Sequence, residues 1–130
     1  MRDAVVVCGS RSWTDEEIIR ERIFALHPSV KVIHGGARGP DRTAGRIAKE
    51  QGHTVIEVRA DWLRYGKAAG YKRNEAMLSL EPMLVIAFYD GSSRGTAHMI
   101  RIAEAAGIPV EVIQTTPEYE ATHFYPRGSP

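Results

Sequence analysis

The sequence predicts an α/β fold, a three-layer sandwich in which helices cover both faces of a five-stranded, mainly parallel sheet. Two observations predict it. Short apolar runs such as AVVVC and MLVIAF are typical of strands buried on both faces. These runs alternate with segments of helical spacing along the whole chain, as in βαβ units. A length of 130 residues fits one domain, and we assign residues 1–114 to it and residues 115–130 to a C-terminal tail.

Each element has its own signal. β-branched and apolar runs predict five strands, over residues 4–8, 30–33, 54–58, 83–88 and 109–113. Amphipathic spacing predicts four helices, over residues 14–26, 40–51, 70–80 and 95–106. TDEE predicts a capping box with Thr14 as N-cap and Glu17 as its partner. Pro40 suits the first turn of the second helix, and residues 59–70 are predicted to form an ordered functional loop.

Composition excludes several classes of protein. With 43% hydrophobic and 25% charged residues, the chain resembles neither a disordered segment nor a membrane span. The N-terminus lacks the pattern of a secretory signal, so we expect a cytoplasmic protein. The single cysteine permits no internal disulfide and no cysteine-based metal cluster. A net charge of +1 gives no global field for nucleic acid, so local arginines must carry any anion binding.

Three glycine-containing loops follow strands of the predicted sheet: CGSRSW, HGGARGPD and DGSSRGT. In a parallel sheet they open on one rim, where ligands of such folds bind. Each leads into a helix whose first amides and dipole favour phosphate. Each also carries one arginine, at Arg11, Arg38 and Arg94, whose forked donors suit the same group.

The alternative is that these glycines only cap helices and form tight turns. One loop alone would leave the two interpretations about equal, but turns do not need arginine, and three similar loops favour an anion site. The signatures G-x-G-x-x-G and G-x-x-x-x-G-K-[ST] are both missing. This argues against a dinucleotide-dependent dehydrogenase and against a P-loop phosphatase.

Four segments carry a family resemblance: GSRSW, HGGARGPDRTA, DW with GKAAGYKRNEAML, and VIAFYDGSSRGTAHMIRIAEAAGIPV. Their order and spacing resemble the SLOG superfamily, specifically its YspA/YpsA-related branch, over residues 5–112. The resemblance implies a Rossmann-like fold and a pocket for a nucleotide or nucleotide-derived ligand such as an ADP-ribose relative. It also implies a homodimer, with Arg73 and Asn74 of YKRNEAM completing the pocket.

Two groups of relatives suggest different functions. In LOG phosphoribohydrolases, which release a base from a nucleoside monophosphate, the motif G-G-x-G-T-x-x-E carries a catalytic glutamate. Gly95 and Thr96 match its G-T, but Met99 occupies the glutamate position, and a thioether moves no proton. DNA processing protein A has a G-x-A-R-G-x-D loop similar to GGARGPD, which there serves single-stranded DNA; the net charge argues against that role here.

Seventeen residues form the predicted ligand site, all on the proposed rim or in the matching helix motif: Gly9, Ser10, Arg11, Gly35, Gly36, Ala37, Arg38, Gly39, Asp41, Arg73, Asn74, Asp90, Gly91, Ser93, Arg94, Gly95 and Thr96. Amides of GGARG and SSRGT are expected to hold the phosphate. Asp41 is equally compatible with complementing the helix dipole, and Asp90 with forming a turn.

Other side chains leave alternatives open. Trp62 and Tyr65 could stack on a base, or pack in the core or a dimer interface. Lys67 and Lys72 fit a solvated helix face or closure over a phosphate. His34 and His98 show no ligand spacing, so no metal site and no cofactor is expected. Cys8, Met99 and Ile102 are expected in the core, and Gly45 at a close-packing position inside a helix.

Three functions follow, in order of preference. The first is binding, with possible sensing or processing, of a nucleotide-derived ligand, because the phosphate features are intact and no catalytic set is evident. The second is N-glycosidic hydrolysis or transfer, with Asp90, Glu75 or Asp41 replacing the missing glutamate. The third is binding of single-stranded DNA. Catalytic residues stay unassigned.

Overall fold

A computed structural model of the protein describes residues 3–114. Its centre is a five-stranded sheet with the order β3-β2-β1-β4-β5. Every pairing is parallel, as the registers Val5 to Val32 and Val7 to Ile86 illustrate for β1 with its two neighbours. The predicted α/β class and the five strands are therefore confirmed. The predicted tail, residues 115–130, lies outside the described residues.

Strands and helices alternate from one end of the described chain to the other. The strands are β1 (Ala4–Gly9), β2 (Lys31–His34), β3 (Val55–Glu57), β4 (Leu84–Tyr89) and β5 (Val110–Gln114). The helices are α1 (Glu16–Phe24), α2 (Pro40–Glu50), α3 (Trp62–Tyr65), α4 (Ala69–Leu78) and α5 (Arg94–Ala105), with a 3-10 turn at Gly66–Ala68. Among these residues, no helix has the length and apolar character that a membrane span requires.

Two hydrophobic clusters divide the core between the faces of the sheet. On one face, side chains of α1 and α2 such as Ile19 and Ile47 pack against Val5 and Phe88 of the central strands. On the other face, Met77 of α4 and Met99 of α5 pack against alternate residues of the same strands. Because successive strand residues point to opposite faces, both layers of helices bury apolar surface, which is the dominant favourable term in folding.

Two local predictions are wrong. The N-cap of α1 is Asp15 rather than Thr14, and its Oδ1 accepts hydrogen bonds from the amides of Glu17 (3.1 Å) and Ile18 (3.4 Å). Both residue types cap helices, but Asp15 is the one placed to reach these amides. Residues 59–70 are not a loop throughout: α3 lies within them, and its N-cap Asp61 accepts a hydrogen bond from the amide of Arg64.

The strand order places a change of direction at the centre of the sheet. Successive connections run outward from β1 to β2 and β3, and the chain then returns to β4 on the other side of β1. The loops after β1 and β4 therefore diverge to opposite faces, which leaves a crevice at the carboxyl ends of these strands. This crevice is where the fold itself offers room for a ligand.

Candidate ligand-binding site

A cavity of about 480 Å³ opens at this crevice, and we call it the switch-point cavity. Its walls come from the loops after β1, β2 and β4 and from helices α3 and α4. Its lining residues are Cys8, Gly9, Arg11, Ser12, Ala37, Asp41, Trp62, Lys67, Gly70, Tyr71, Arg73, Asn74, Met77, Asp90, Ser93, Gly95 and Thr96. The cavity thus combines glycine backbone, hydroxyl groups, two arginines and two aromatic rings, which is a mixture typical of small-molecule sites.

The loop after β4 is held by the exposed carboxylate of Asp90. Its Oδ2 accepts a hydrogen bond from the hydroxyl of Ser12 at 2.6 Å, and its Oδ1 accepts from the amides of Ser92 (2.8 Å) and Ser93 (3.0 Å). The bond from Ser12, and then those from the amides, lower the pKa of Asp90. The buried hydroxyl of Ser10 accepts a hydrogen bond from the Asp90 amide at 2.9 Å, so these bonds join the loops after β1 and β4.

The loop after β2 is held by the buried carboxylate of Asp41. This side chain, 3% exposed, lies in the first turn of α2, and its Oδ2 accepts a hydrogen bond from the amide of Gly35 at 2.8 Å. Burial raises the pKa of Asp41 to about 6, against the opposing influence of the Gly35 amide and the guanidinium of Arg73. Asp41 therefore both organises the loop and lines the switch-point cavity.

His34, at the end of β2, holds the next residue of the same loop. Its Nδ1 accepts a hydrogen bond from the amide of Gly36 at 3.1 Å, and burial lowers the pKa of its ring. The ring packs directly on α2: a Cβ on Gly45 would lie 2.6 Å from Nε2 of His34. The predicted close-packing role of Gly45 is thereby confirmed.

These contacts occupy several of the loop amides that were expected to hold a phosphate. The amides of Gly35 and Gly36 donate to Asp41 and His34, and those of Ser92 and Ser93 donate to Asp90. These four amides already have an acceptor inside the protein, so the expectation that amides of GGARG and SSRGT hold a phosphate stays a prediction that rests on other amides of these segments, such as those of Arg94 and Gly95. The glycines instead allow close packing and positive φ, as at Gly36 (φ 74°).

Arg73 of α4 fills the space that Gly35 leaves open. A Cβ on Gly35 would lie 2.6 Å from both Cδ and Nε of Arg73, and Nη1 of Arg73 donates to the carbonyl of Gly35 at 3.0 Å. Its Nε is buried and has no hydrogen-bond partner within the described residues. Arg73 is thus a fixed cation that adjoins the switch-point cavity and is not fully satisfied by the protein.

A second cavity of about 550 Å³ adjoins the first, and we call it the arginine cavity. It lies over the carboxyl ends of β2 and β3. Its lining residues are Arg11, Gly35, Gly36, Ala37, Arg38, Arg42, Glu57, Arg59, Ala60, Trp62 and Arg73. Four of them, Arg11, Ala37, Trp62 and Arg73, also line the switch-point cavity.

The structure brings most predicted site residues to these two cavities. The switch-point cavity receives Gly9, Arg11, Ala37, Asp41, Arg73, Asn74, Asp90, Ser93, Gly95 and Thr96. The arginine cavity adds Gly35, Gly36 and Arg38. Four predicted residues line neither: Ser10, Gly39, Gly91 and Arg94. Ser10 is fully buried and holds Asp90, and Gly39 lets the loop after β2 pass close to the backbone of Arg11.

Several lining residues are missed by the sequence reasoning. Ser12, Tyr71, Arg42 and Arg59 all face a cavity. Arg59 carries a signal that could have found it, because it follows the carboxyl end of β3 and so belongs to the same rim. No sequence signal identifies Tyr71, because its place at the cavity depends on the orientation of α4. Its ring packs on His98 with centroids 4.5 Å apart.

Asn74 supports the start of α5 from within α4. This amide side chain is 3% exposed, and its Nδ2 donates to the carbonyl of Gly95 at 3.1 Å and lies 3.1 Å from Nδ1 of His98. Burial, and next the charge of Arg101, lower the pKa of His98. A neutral ring with Nδ1 as acceptor satisfies this contact, so Asn74 and His98 together fix the wall that Gly95 and Thr96 form.

The remaining predictions for individual side chains have mixed outcomes. Met99 is fully buried and Ile102 packs against the same cluster, so both are core residues as predicted. Cys8 is buried as well, and burial raises the pKa of its thiol, which opposes a nucleophilic role. Trp62 and Tyr65 are 53% and 38% exposed, which excludes a core role for them.

A family assignment can now be made. The model of the YspA, cpYpsA-related SLOG family matches residues 4–65. Gene 61 protein of Mycobacterium phage D29 is 41% identical over 115 residues, which cover 82% of this chain and 92% of that protein. The chain belongs to the YspA, cpYpsA-related SLOG family. The resemblance of GSRSW and HGGARGPDRTA to this branch is thereby confirmed.

A solved structure supports the fold of this SLOG chain. DNA processing protein A from Streptococcus pneumoniae superimposes with a TM-score of 0.76 at 20% sequence identity. The match covers 98% of this chain and 57% of that one, so the SLOG chain spans little more than half the length of that protein. At this identity the likeness concerns the fold alone, and it confirms the Rossmann-like architecture.

Proposed function

We propose that this SLOG protein binds a nucleotide or nucleotide-derived ligand, such as an ADP-ribose relative, in the switch-point cavity. The observation that carries the proposal is that the loops after β1 and β4, which diverge to opposite faces of the sheet, both line one cavity at the start of α5. Parallel α/β sheets bind nucleotides at this point. The family assignment supports the same class of ligand.

The phosphate would lie where α5 begins. No hydrogen bond engages the amides of Arg94 and Gly95 within residues 3–114, and a Cβ on Gly95 would meet no atom within 4 Å. This helix start therefore presents free donors and a positive dipole end to an anion. Arg11, which makes no ion pair within the described part of the chain, supplies a forked cation from the loop after β1.

The nucleoside would lie toward helices α3 and α4. Trp62 and Tyr71 line the same cavity and are 53% and 42% exposed, so each offers aromatic surface on which a base could stack. Stacking of a base on an aromatic side chain is worth about 1–3 kcal/mol. The phosphate and the base would thus be held by separate parts of one cavity.

Binding, rather than cleavage, agrees best with the surroundings of Met99 and Asp90. Met99 at the LOG glutamate position is fully buried in the core. The carboxylate of Asp90 accepts bonds from Ser12, Ser92 and Ser93, and its lowered pKa keeps it ionised. A carboxylate so occupied is a poor general acid, and this disfavours Asp90 as a substitute for the missing glutamate.

The test is differential scanning fluorimetry with nucleoside monophosphates, nucleoside diphosphates and ADP-ribose. A ligand at about 100 times its Kd stabilises the native state by about 2.7 kcal/mol, which raises Tm by roughly 10 °C in a domain of this size. Arg11→Gln is expected to abolish most of the shift. Arg101→Gln is the matched control, because Arg101 is exposed on α5 and lines neither cavity. No shift with any member of the panel would refute the proposal.

One observation favours a second candidate, N-glycosidic cleavage. Asp41 lines the switch-point cavity, and burial raises its pKa to about 6, a range suited to a general acid at neutral pH. Incubation with each nucleoside monophosphate, followed by chromatography of the free base, tests this candidate. Release that disappears in Asp41→Asn would support it, and the absence of any free base would rule it out.

The homodimer expected from the family resemblance stays a prediction. Light scattering of the purified protein measures its mass directly. A mass of one chain across micromolar concentrations would contradict it.

A further inference from the structure

We propose that the arginine cavity is a second anion subsite, which makes the ligand a nucleotide with at least two phosphate groups. The inference rests on the proposed function for the nucleoside end of the ligand. The switch-point cavity would take the nucleoside and one phosphate. The arginine cavity would take the next phosphate.

The concentration of charge is the first argument. Five arginines line the arginine cavity, and Glu57 is the only acidic residue among its lining residues. The whole chain has a net charge of only +1, so this positive charge is local to one concave surface. Like charges gathered in a cleft focus the field and attract an anion of matching size.

The second argument is that the arginine side chains retain free donors. Arg11 and Arg38 make no hydrogen bond or ion pair within residues 3–114. Arg42 uses Nε to donate to the carbonyl of Gly36 at 2.9 Å, which leaves its terminal nitrogens. Of the five, Arg59 forms an ion pair within residues 3–114, with the carboxylate of Glu57.

The type of cation also matters. Guanidinium groups present planar, forked donors that match the oxygens of a phosphate, whereas ammonium groups act as point charges. Every cation that lines the arginine cavity is an arginine. A surface that only faces solvent would not require arginine in preference to lysine.

The shared wall makes one continuous ligand possible. Arg11, Trp62 and Arg73 line both cavities. Arg73 is held against Gly35, and its Nε is buried without a partner in the described chain. Two phosphates on either side of this wall would share Arg11 and Arg73 between them, so the second phosphate adds contacts to the first.

Isothermal titration calorimetry tests the inference with matched probes. These are the four ribonucleoside 5′-monophosphates, the corresponding 5′-diphosphates, inorganic pyrophosphate and a single-stranded thymidine 20-mer. The 5′-diphosphate of the preferred base is expected to bind about tenfold or more tightly than its monophosphate, because the second phosphate adds charge-assisted hydrogen bonds to the arginines.

Arg38→Gln is the decisive variant because it breaks no hydrogen bond or ion pair in residues 3–114. It is expected to remove most of the advantage of the diphosphate over the monophosphate. Arg38→Gln combined with Arg42→Gln should remove the remainder. Arg101→Gln is the control for a general loss of positive charge, and it should keep the full advantage.

The possible failures are distinguishable. Nucleotides that bind with equal affinity as mono- and diphosphates, or an advantage that Arg38→Gln leaves intact, would overturn the inference while the proposed function stands. Pyrophosphate that binds through Arg38 while no nucleotide binds would support the anion subsite and refute the proposed function. Tighter binding of the thymidine 20-mer than of every diphosphate, with the same dependence on Arg38, would overturn the assignment in favour of nucleic acid.

Discussion

The loops after β2 and β4 look alike in the sequence but are held together in opposite ways. Each contains glycine, arginine and an aspartate that accepts hydrogen bonds from amides of its own loop. In the loop after β2 that aspartate, Asp41, is buried, and burial raises its pKa to about 6. In the loop after β4 it is Asp90, which is exposed and whose pKa is lowered, first by Ser12.

The difference shows that the surroundings of a loop carboxylate, rather than its residue type, decide whether its ionisation favours or disfavours the native state. Burial of the ionised Asp41 disfavours the native state unless the amides and Arg73 compensate. Asp90 keeps its hydration and gains hydrogen bonds, so its ionisation favours the native state. The contribution of the loop after β2 to stability therefore changes with pH near neutrality, whereas that of the loop after β4 changes only in acid.

The largest expected effect is on the pH dependence of stability. The pKa of Asp41 rises from 3.8 unfolded to about 6 folded, so the native state binds more protons between these values. The free energy of unfolding should fall as pH rises from about 4 to 7, by up to about 3 kcal/mol. Urea denaturation across this range should show the fall in the wild type and not in Asp41→Asn.

Asp90→Asn provides the opposite control. Because the folded pKa of Asp90 lies below its unfolded value of 3.8, its stabilising effect is present above about pH 4 and is lost as pH falls below it. The wild type should therefore gain stability over Asp90→Asn as pH rises toward about 4, and the gain should be complete above that pH. For each of Asp41→Asn and Asp90→Asn, the free energy of unfolding of the wild type minus that of the variant is plotted against pH. Slopes of the same sign for the two variants would contradict the comparison of the two loops.

A smaller effect is expected from the glycine of the buried loop. Gly35→Ala places a Cβ 2.6 Å from Cδ and Nε of Arg73, so Arg73 must leave its hydrogen bond to the Gly35 carbonyl. The expected cost is about 1–3 kcal/mol in the free energy of unfolding, together with weaker ligand binding. Gly70→Ala is the control, because its Cβ would lie 3.9 Å from Arg73 in ordinary contact. Equal stability of the two variants would show that Arg73 is not positioned by Gly35.

The smallest effect concerns the open loop. Gly95 is the second residue of α5, and nothing lies within 4 Å of its Cβ position. Gly95→Ala should stabilise the protein by about 0.5 kcal/mol through helix propensity. It should also weaken nucleotide binding, since the methyl group would lie where the phosphate approaches. Thermal unfolding and calorimetry of the same variant separate the two effects; unchanged affinity would mean that the phosphate lies elsewhere.

The fold was largely predictable from the sequence because its signals are local and repeated. Apolar runs such as AVVVC and MLVIAF are short, dense and separated by amphipathic segments, and parallel strands follow directly. Helix α3 was missed because its four residues give no periodicity to detect. The capping residue of α1 was missed because Thr14 and Asp15 are both suitable caps, and only the tertiary structure selects one.

The site was predictable in its position but not in its internal bonding. Strand ends placed Arg11, Arg38 and Gly95 on one rim, and in the structure each of them lines one or both cavities. No sequence signal showed that Asp41 would fold back to take the Gly35 amide, since that bond depends on how α2 leaves the sheet. The arginine cavity was also missed, because Arg42 and Arg59 are far apart in sequence and meet only when β2 and β3 pair.

The contact between His34 and Gly36 has a consequence for measurement. Because Nδ1 accepts a hydrogen bond from the Gly36 amide, the proton of the neutral ring must reside on Nε2. Displacement of Gly36 by a ligand in the arginine cavity would release this tautomer. The ¹⁵N resonances of the His34 imidazole would therefore report any ligand that moves Gly36 away from the ring.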